Sequence, residues 1–197
     1  MARAGYLALL VAGGLAASPV AAALIDFEGL GDGTALTTQV AGVTFANALV
    51  LRSGLSLNEF EFPPHSGAGV ASDDGGAMQI VFDSPVTSVS GFFTYSAPLA
   101  FTAFDAGGNA VGTAASLFAN NMALSGAAGS AANELITLAA VGSFTRLVIL
   151  GELAGGSFVV DDLTVTAVPE APTYALMASG LLLGVWLRKR WLHEVQQ

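Results

Sequence analysis

The stretch Phe101-Thr-Ala-Phe-Asp-Ala-Gly-Gly-Asn-Ala-Val111 places two short apolar runs on either side of a Gly-Gly pair. Consecutive glycines supply the positive backbone angles of a tight turn, so the flanking runs are expected to pair as a β-hairpin. Similar runs rich in Val, Ile, Phe and Thr alternate along the chain with clusters of Gly, Asp, Asn and Ser. This pattern predicts an all-β fold, an antiparallel β-sandwich of jelly-roll type.

Ten strands are predicted from these runs, at residues 24–27, 43–45, 48–51, 77–82, 86–95, 99–105, 110–117, 134–138, 144–150 and 158–166. The prolines and glycines between Pro63 and Gly69 predict one long loop. The stretch Asp73-Asp74-Gly75-Gly76 is expected to be a solvated turn. Five phenylalanines on strands are expected in the core: Phe27, Phe45, Phe82, Phe92 and Phe144.

The central part of the chain, residues 24–167, is predicted to be a single acidic domain. It holds Arg52 and Arg146 against thirteen Asp and Glu, a net charge of about −11. Such a charge repels phosphate backbones, so we expect no nucleic-acid partner. The chain has no cysteine, and the domain must therefore be held together by its core or by a metal.

The N-terminal residues 1–23 have the pattern of a secretory signal peptide. Arg3 precedes an apolar stretch from Tyr6 to Ala17, and the small residues Ala21-Ala22-Ala23 follow. Gly13 and Gly14 interrupt this stretch and Pro19 follows it, and the stretch is also short for a membrane span. The pattern predicts cleavage after Ala22 or Ala23 and export of the protein.

The C-terminal residues combine an apolar run from Tyr174 to Leu187 with the basic cluster Arg188-Lys189-Arg190. An apolar segment followed at once by cations is typical of a membrane stop with a cytoplasmic C-terminus. We therefore predict one transmembrane helix at about residues 172–187 and a short cytoplasmic tail at residues 192–197.

Residues 168–191 resemble a PEP-CTERM sorting domain: a Pro-Glu motif, a hydrophobic helix and an Arg-rich cluster follow one another in that order. The motif reads Pro169-Glu170-Ala171-Pro172, where the family has Pro-Glu-Pro. The resemblance implies an inner-membrane tether, then processing by an exosortase-type enzyme and release or display at the cell surface. It also implies an association with extracellular polysaccharide and biofilm.

The domain itself resembles jelly-roll, carbohydrate-binding-module-like ectodomains that precede this signal. The similar segments are Ile25-Asp-Phe-Glu28, Gly42-Val-Thr-Phe45, Phe82-Asp-Ser-Pro-Val86 and Val160-Asp-Asp-Leu163. The resemblance implies that the first and last strands run side by side. It also implies a structural calcium ion held by acidic residues there: Asp26, Glu28, Asp161 and Asp162.

Strand alternation gives an independent reason to single out the last acidic pair. It places Val159, Asp161 and Leu163 on one face and Val160, Asp162 and Thr164 on the other. Both faces are otherwise apolar or β-branched, so at least one Asp is expected to be poorly solvated and to need hydrogen bonds, a cation or a proton. A calcium site and a pair making loop hydrogen bonds are the two alternatives.

Catalysis finds little support in the sequence. His65, the one histidine of residues 24–167, lies in a Pro-Pro-His-Ser loop and is expected to face solvent. Neither a Gly-x-Ser-x-Gly motif nor a zinc-ligand spacing is present. We therefore expect no enzyme.

Sugar binding is the alternative to a purely structural surface protein. Exposed aromatic rings are the usual sugar contacts, and both tryptophans lie in the C-terminal segment. Phe60 and Phe62 are the best candidates for an exposed pair in the domain, with core packing as the competing interpretation.

Overall fold

The computed structural model of the protein describes residues 22–168 and 179–186. Within those residues, nine β-strands and one short helix at residues 179–186 make up the regular structure. The strands are β1 Ala22–Ile25, β2 Val43–Ala46, β3 Ala48–Arg52, β4 Gly69–Asp73, β5 Met78–Tyr95, β6 Ala100–Phe104, β7 Ala110–Ala115, β8 Glu134–Leu150 and β9 Phe158–Ala167. Every pairing between them is antiparallel. The predicted all-β, antiparallel fold is thus confirmed.

Most of the predicted targeting segments lie outside the described residues. These are the signal peptide up to residue 21, the motif Pro169-Glu170-Ala171-Pro172, the cluster Arg188-Lys189-Arg190 and the tail 192–197. The predicted membrane helix overlaps the described helix at residues 179–186, which belongs to a compact unit separate from the strands. No helix in the described ranges is both long and apolar enough to cross a bilayer.

The strands form two layers that share two long, bent strands. Layer A contains β2, the first part of β5 (78–82), the last part of β8 (144–150), β6 and β7. Layer B contains β3, β4, β9, the last part of β5 (86–95) and the first part of β8 (134–139), with β1 paired to β9. Strands that pass from one layer to the other at a bulge make the corners of such a sandwich.

The bends in β5 and β8 correct the prediction of two separate strands in each region. The β5–β8 register shifts between Val81 and Val86 and again between Val86 and Ser88. Pro85 has no N–H to donate to a ladder, and Gly142 in β8 has a φ of 101°. These residues interrupt the apolar pattern without ending the strand, because the chain turns into the next layer instead of reversing.

The core lies between the two layers. Phe93 meets Phe101 edge-on with ring centroids 5.0 Å apart, and Phe82 meets Phe144 at 5.8 Å. Fully burying a phenylalanine contributes roughly 1.5–3 kcal/mol. Four of the five predicted core phenylalanines are buried: Phe27, Phe45, Phe82 and Phe144. The prediction for Phe92 is wrong, because its half-exposed side chain lies on the outer side of layer B, stacked on a loop residue.

The sequence predicts no strand at β4, whose ends Gly69 and Asp73 are expected in a loop and in a turn, and this is also wrong. All five of its residues are buried, although they are mostly small and only Val70 is β-branched. Asp73, expected in a solvated turn, ends this strand and is 3 % exposed. Its carboxylate accepts hydrogen bonds from the amides of Ser157 and Phe158 at 2.8 and 2.9 Å and from the Ser157 hydroxyl at 2.8 Å.

Replacing Asp73 by alanine is expected to lower the free energy of unfolding by about 4 kcal/mol, because two buried amides lose their acceptor. Urea unfolding of the full chain measures this. Asp74→Ala is the matched control: the adjacent residue is exposed, so its loss should change stability by less than about 0.5 kcal/mol. Equal effects of the two substitutions would contradict the prediction.

Candidate functional site

A long loop, residues 53–68, covers the outer side of layer B. Its residue Leu57 packs with Val70 of β4 and Val159 of β9 in a small apolar cluster outside the main core. Leu51 and Phe62 pack against the same cluster. We call residues 53–68 the covering loop. It explains why β4 and residues 158–161 of β9 are buried on both faces of layer B.

An extra residue in β9 determines which side chains meet the covering loop. Across β5 and β9, Ser90 pairs with Thr164 but Phe92 pairs with Asp161, so β9 has one residue more than its partner. Asp162 lies at this irregularity. Its φ of 47° is in the left-handed region, which Asp tolerates better than most residues. The predicted strict alternation is therefore wrong beyond Asp161: Leu163 points into the core and Asp162 does not.

The two consecutive aspartates bind the covering loop. The Asp161 carboxylate accepts hydrogen bonds from the amide of Ser66 at 2.8 Å and from the amide of Asp162 at 2.7 Å. Asp161 is 1 % exposed, and burial raises the pKa of its carboxyl group although both amides act in the opposite direction. The expectation of one poorly solvated Asp is confirmed, and hydrogen bonds supply its compensation.

His65 is exposed, as predicted, with 38 % of its side chain accessible to solvent, and it also makes defined contacts. Its ring stacks on Phe92 with centroids 3.4 Å apart and planes 5° from parallel. Its Nδ1 lies 2.7 Å from Oδ2 of Asp162, and the Ser66 hydroxyl donates to Oδ1 of the same carboxylate at 3.0 Å. These contacts depend on the extra residue in β9, so they could not be predicted from the proline-rich sequence around His65.

Glu28 binds the C-terminal end of the covering loop, two residues beyond the contacts of Asp161 and Asp162 with Ser66. Its Oε1 accepts hydrogen bonds from the amides of Ala68 and Gly69 at 2.7 and 2.6 Å, and its Oε2 pairs with Arg52 at 3.3 Å. The bond from Gly69, followed by the other amide and Arg52, lowers the pKa of Glu28 against the effect of burial. Asp26 is exposed and accepts a hydrogen bond from the amide of Glu28 at 3.2 Å.

The four acidic residues predicted for calcium thus have separate tasks. The implied adjacency of the first and last strands is observed, since Ile25 pairs with Leu163. Glu28 and the two aspartates nevertheless bind different parts of the covering loop. In the parts of the chain that the structure describes, no group of three or more His, Cys, Asp or Glu side chains is arranged to hold a metal ion. A calcium ion here would have to displace amide, hydroxyl or guanidinium donors, and calcium binding stays a prediction.

Removing the Asp161 carboxylate is expected to free the covering loop. Asp161→Ala leaves the amides of Ser66 and Asp162 without an acceptor, which costs about 1–3 kcal/mol and should speed hydrogen exchange at Ser66. Asp26→Ala is the control, since among the described residues that carboxylate bonds to the amide of Glu28 in its own turn.

The same proteins test calcium by calorimetry: a site at Asp161 predicts heat and a higher melting temperature with the wild type and none with Asp161→Ala or Asp162→Ala.

A cavity of about 170 Å³ opens between the covering loop and layer B. Leu51, Leu57, Phe62 and Val159 provide an apolar lining, to which Ser56, Asn58 and Ser72 add polar groups. The sequence does not indicate the polar residues, because serine and asparagine are common in any loop. We call this cavity the groove.

The two phenylalanines predicted for sugar contact take different positions relative to the groove. Phe62 lines it and packs against the apolar cluster, whereas Phe60 is 71 % exposed. Between them, Glu61 accepts hydrogen bonds from the amides of Leu124 and Ser125 at 3.1 and 3.2 Å. The exposed ring of Phe60 is therefore carried by a loop segment tied to a second loop.

No family model and no curated protein matches the chain. Among solved structures, the chain is similar to the K2 cleaved adhesin domain of Lys-gingipain, with 16 % sequence identity and a TM-score of 0.47. The match covers 75 % of this chain and 99 % of that domain. A likeness at this level carries no information on ligand or activity.

Proposed function

We propose that the protein is a non-catalytic, exported surface or extracellular-matrix protein, associated with exopolysaccharide and biofilm. The observation that carries this proposal is that the polar side chains around β9 form hydrogen bonds and ion pairs that hold the covering loop. Asp161 and Asp162 bind His65 and Ser66 of the covering loop. Glu28 binds Ala68 at the end of the loop and pairs with Arg52, which directly precedes it. Side chains engaged in this way stabilise a fold and are poorly placed to react with a substrate.

The arrangement of Ser66, His65 and Asp162 supports the absence of catalysis. A nucleophilic serine needs its hydroxyl hydrogen-bonded to the histidine that takes its proton. Here the Ser66 hydroxyl donates to Asp162 instead, and one face of the His65 ring lies against Phe92. The three residue types of a hydrolase are present, but their hydrogen bonds run in the wrong order for proton transfer.

Export and sorting are proposed from the two ends of the chain. The N-terminal pattern supports secretion, and the order of motif, apolar run and basic cluster supports an inner-membrane tether that an exosortase-type enzyme processes. Cleavage after Ala22 or Ala23 would shorten β1 but keep the pairs Leu24 with Thr164 and Ile25 with Leu163. That adjacency of the first and last strands also supports a jelly-roll arrangement.

Processing of the C-terminal signal is expected to remove Trp186 and Trp191 from the extracellular protein. Intact-mass measurement of the secreted form and of Glu170→Ala in a producing bacterium tests this. The variant should stay in the membrane fraction with its full C-terminus, whereas Glu194→Ala, with a substitution beyond the basic cluster, should behave as the wild type. An extracellular wild-type protein that keeps both tryptophans would contradict exosortase-type processing.

A second candidate function is binding of the cell's own polysaccharide, as in a carbohydrate-binding module. The groove favours it, because an apolar wall with a few hydroxyl and amide groups suits a sugar ring with apolar and polar faces. The exposed ring of Phe60 lies two residues from Phe62 of the groove wall and offers a stacking surface.

Phe60→Ala is expected to weaken glycan binding at the groove about tenfold or more, as loss of an aromatic stacking contact does. The full chain on a glycan array, followed by titration of any ligand found, measures this. Leu55→Ala is the matched control, since Leu55 is equally exposed at 71 % but has no ring. A Phe60→Ala protein that binds the same ligand as well as the wild type would rule out stacking on Phe60.

A further inference from the structure

The outer face of layer A differs from that of layer B, because the covering loop lies on layer B. Strand register defines two rows of side chains there. One row runs from Thr44 through Val81 and Arg146 to Phe104. The next row crosses five strands from Ala46 through Gln79, Val148 and Thr102 to Thr113, a span of roughly 19 Å. All these residues are half-exposed or exposed, and we call them the open face.

The open face carries one of the two cations of the domain. The other cation, Arg52, pairs with the carboxylate of Glu28 and donates hydrogen bonds to the carbonyl groups of Glu28 and Leu30. Arg146 forms no ion pair within residues 22–168 and 179–186, and its guanidinium lies 4.2 Å from the centroid of the Phe104 ring. Neither row contains an Asp or Glu, although the domain has thirteen of them. The two rows therefore have a net charge of +1 from Arg146, whereas residues 24–167 have about −11, and the acidic residues Asp83 and Asp105 lie just outside the rows.

The position of Arg146 over the Phe104 ring suits the arginine to bind a carboxylate. The cation–π contact engages the guanidinium without using its N–H donors, which can still form the fork geometry that suits a carboxylate. The ring also limits the rotamers of the arginine, so less conformational entropy is lost on binding. The hydroxyl and amide groups of Thr102, Thr113 and Gln79 lie in the adjacent row, where they suit the hydroxyl groups of a sugar polymer.

We infer that the open face is a second binding surface, specific for a carboxylate-bearing glycan such as a uronic-acid polymer. Arg146 binds the carboxylate, Phe104 orients Arg146, and the polar row binds the neighbouring sugar hydroxyls. The inference rests on the proposed function only in taking an extracellular polysaccharide as the partner. A sugar polymer fits better than an acidic peptide because a single cation stands among several neutral hydrogen-bonding groups.

Two acidic residues frame the open face and provide a second test. Asp105 follows Phe104, and its carboxylate is bound by the amide and side chain of Asn109. Asp83 lies two residues beyond Val81 on β5 and is exposed. Because Asp83 repels an anionic ligand, its neutralisation should strengthen binding whereas loss of Arg146 weakens it.

The experiment measures binding of the full chain, in a non-ionic detergent, to three uronate polymers: polygalacturonate, alginate and hyaluronan. We expect binding to at least one, about tenfold weaker for Arg146→Gln, partly restored in Arg146→Lys and tighter for Asp83→Asn. Methyl-esterified polygalacturonate, which keeps the backbone but loses the charge, should bind no better to the wild type than to Arg146→Gln. Thermal unfolding of each variant checks that the fold is intact.

Several outcomes would overturn the inference: no binding to any of the three polymers, equal binding to charged and esterified polymer, or equal binding by the wild type and a folded Arg146→Gln. Poly-glutamate binding as tight as uronate binding would replace the glycan by an acidic polypeptide. Phe60→Ala should leave uronate binding unchanged, which separates this face from the groove. Export and processing are measured in cells, so failure of the proposed function and failure of this inference give different results.

Discussion

One additional residue in β9, at Asp161 and Asp162, controls the outer side of layer B. Because Asp162 adopts a left-handed backbone conformation, both carboxylates reach the covering loop while Leu163 returns to the core. Amide and hydroxyl donors from Ser66 then satisfy the carboxylates that this geometry buries. Without these hydrogen bonds, burial of Asp161 would be strongly unfavourable. The contacts of His65 and Ser66 with β9 depend on this local irregularity, whereas the Leu57 cluster and Glu28 hold other parts of the covering loop.

The two layers consequently have different surfaces. Layer B is shielded by a loop whose C-terminal end is bound by Asp161 at Ser66 and by Glu28 at Ala68. The accessible feature of this side is a partly apolar groove. Layer A presents flat rows of small and polar side chains around the Arg146–Phe104 stack. The long strands β5 and β8 belong to both layers, so the two surfaces share one rigid framework.

The sequence predicts well what depends on local chemistry. The hairpin at residues 101–111 forms as expected, with Gly108 at a φ of 82°, because the turn residues alone specify it. Strand β4 was missed because it is buried by tertiary contacts on both faces, although its own residues are mostly small. The two strands predicted at residues 77–82 and 86–95 are one continuous strand. The residues at the irregular part of its ladder have the sequence pattern of a loop, so the sequence predicts a break there.

The candidate site shows the same division. Asp161 and Asp162 could be singled out from residue type, and the poor solvation of one of them followed from the apolar surroundings. Their partners could not, because His65 and Ser66 are about a hundred residues distant in the chain and no local pattern links them. Alternation alone does not tell which of two adjacent phenylalanines faces inward, so the core prediction for Phe92 rested on residue type. Phe93 is the buried one.

The pairing of β1 with β9 has a mechanical consequence. Ala22 lies opposite Thr166, so both ends of the sandwich emerge at the same edge, and a force applied through Val168 acts along β9. Force along a strand shears all its ladder bonds together, whereas force across a strand opens them one at a time. Since β9 is hydrogen-bonded to β1, β4 and β5, such a load is spread over three neighbouring strands.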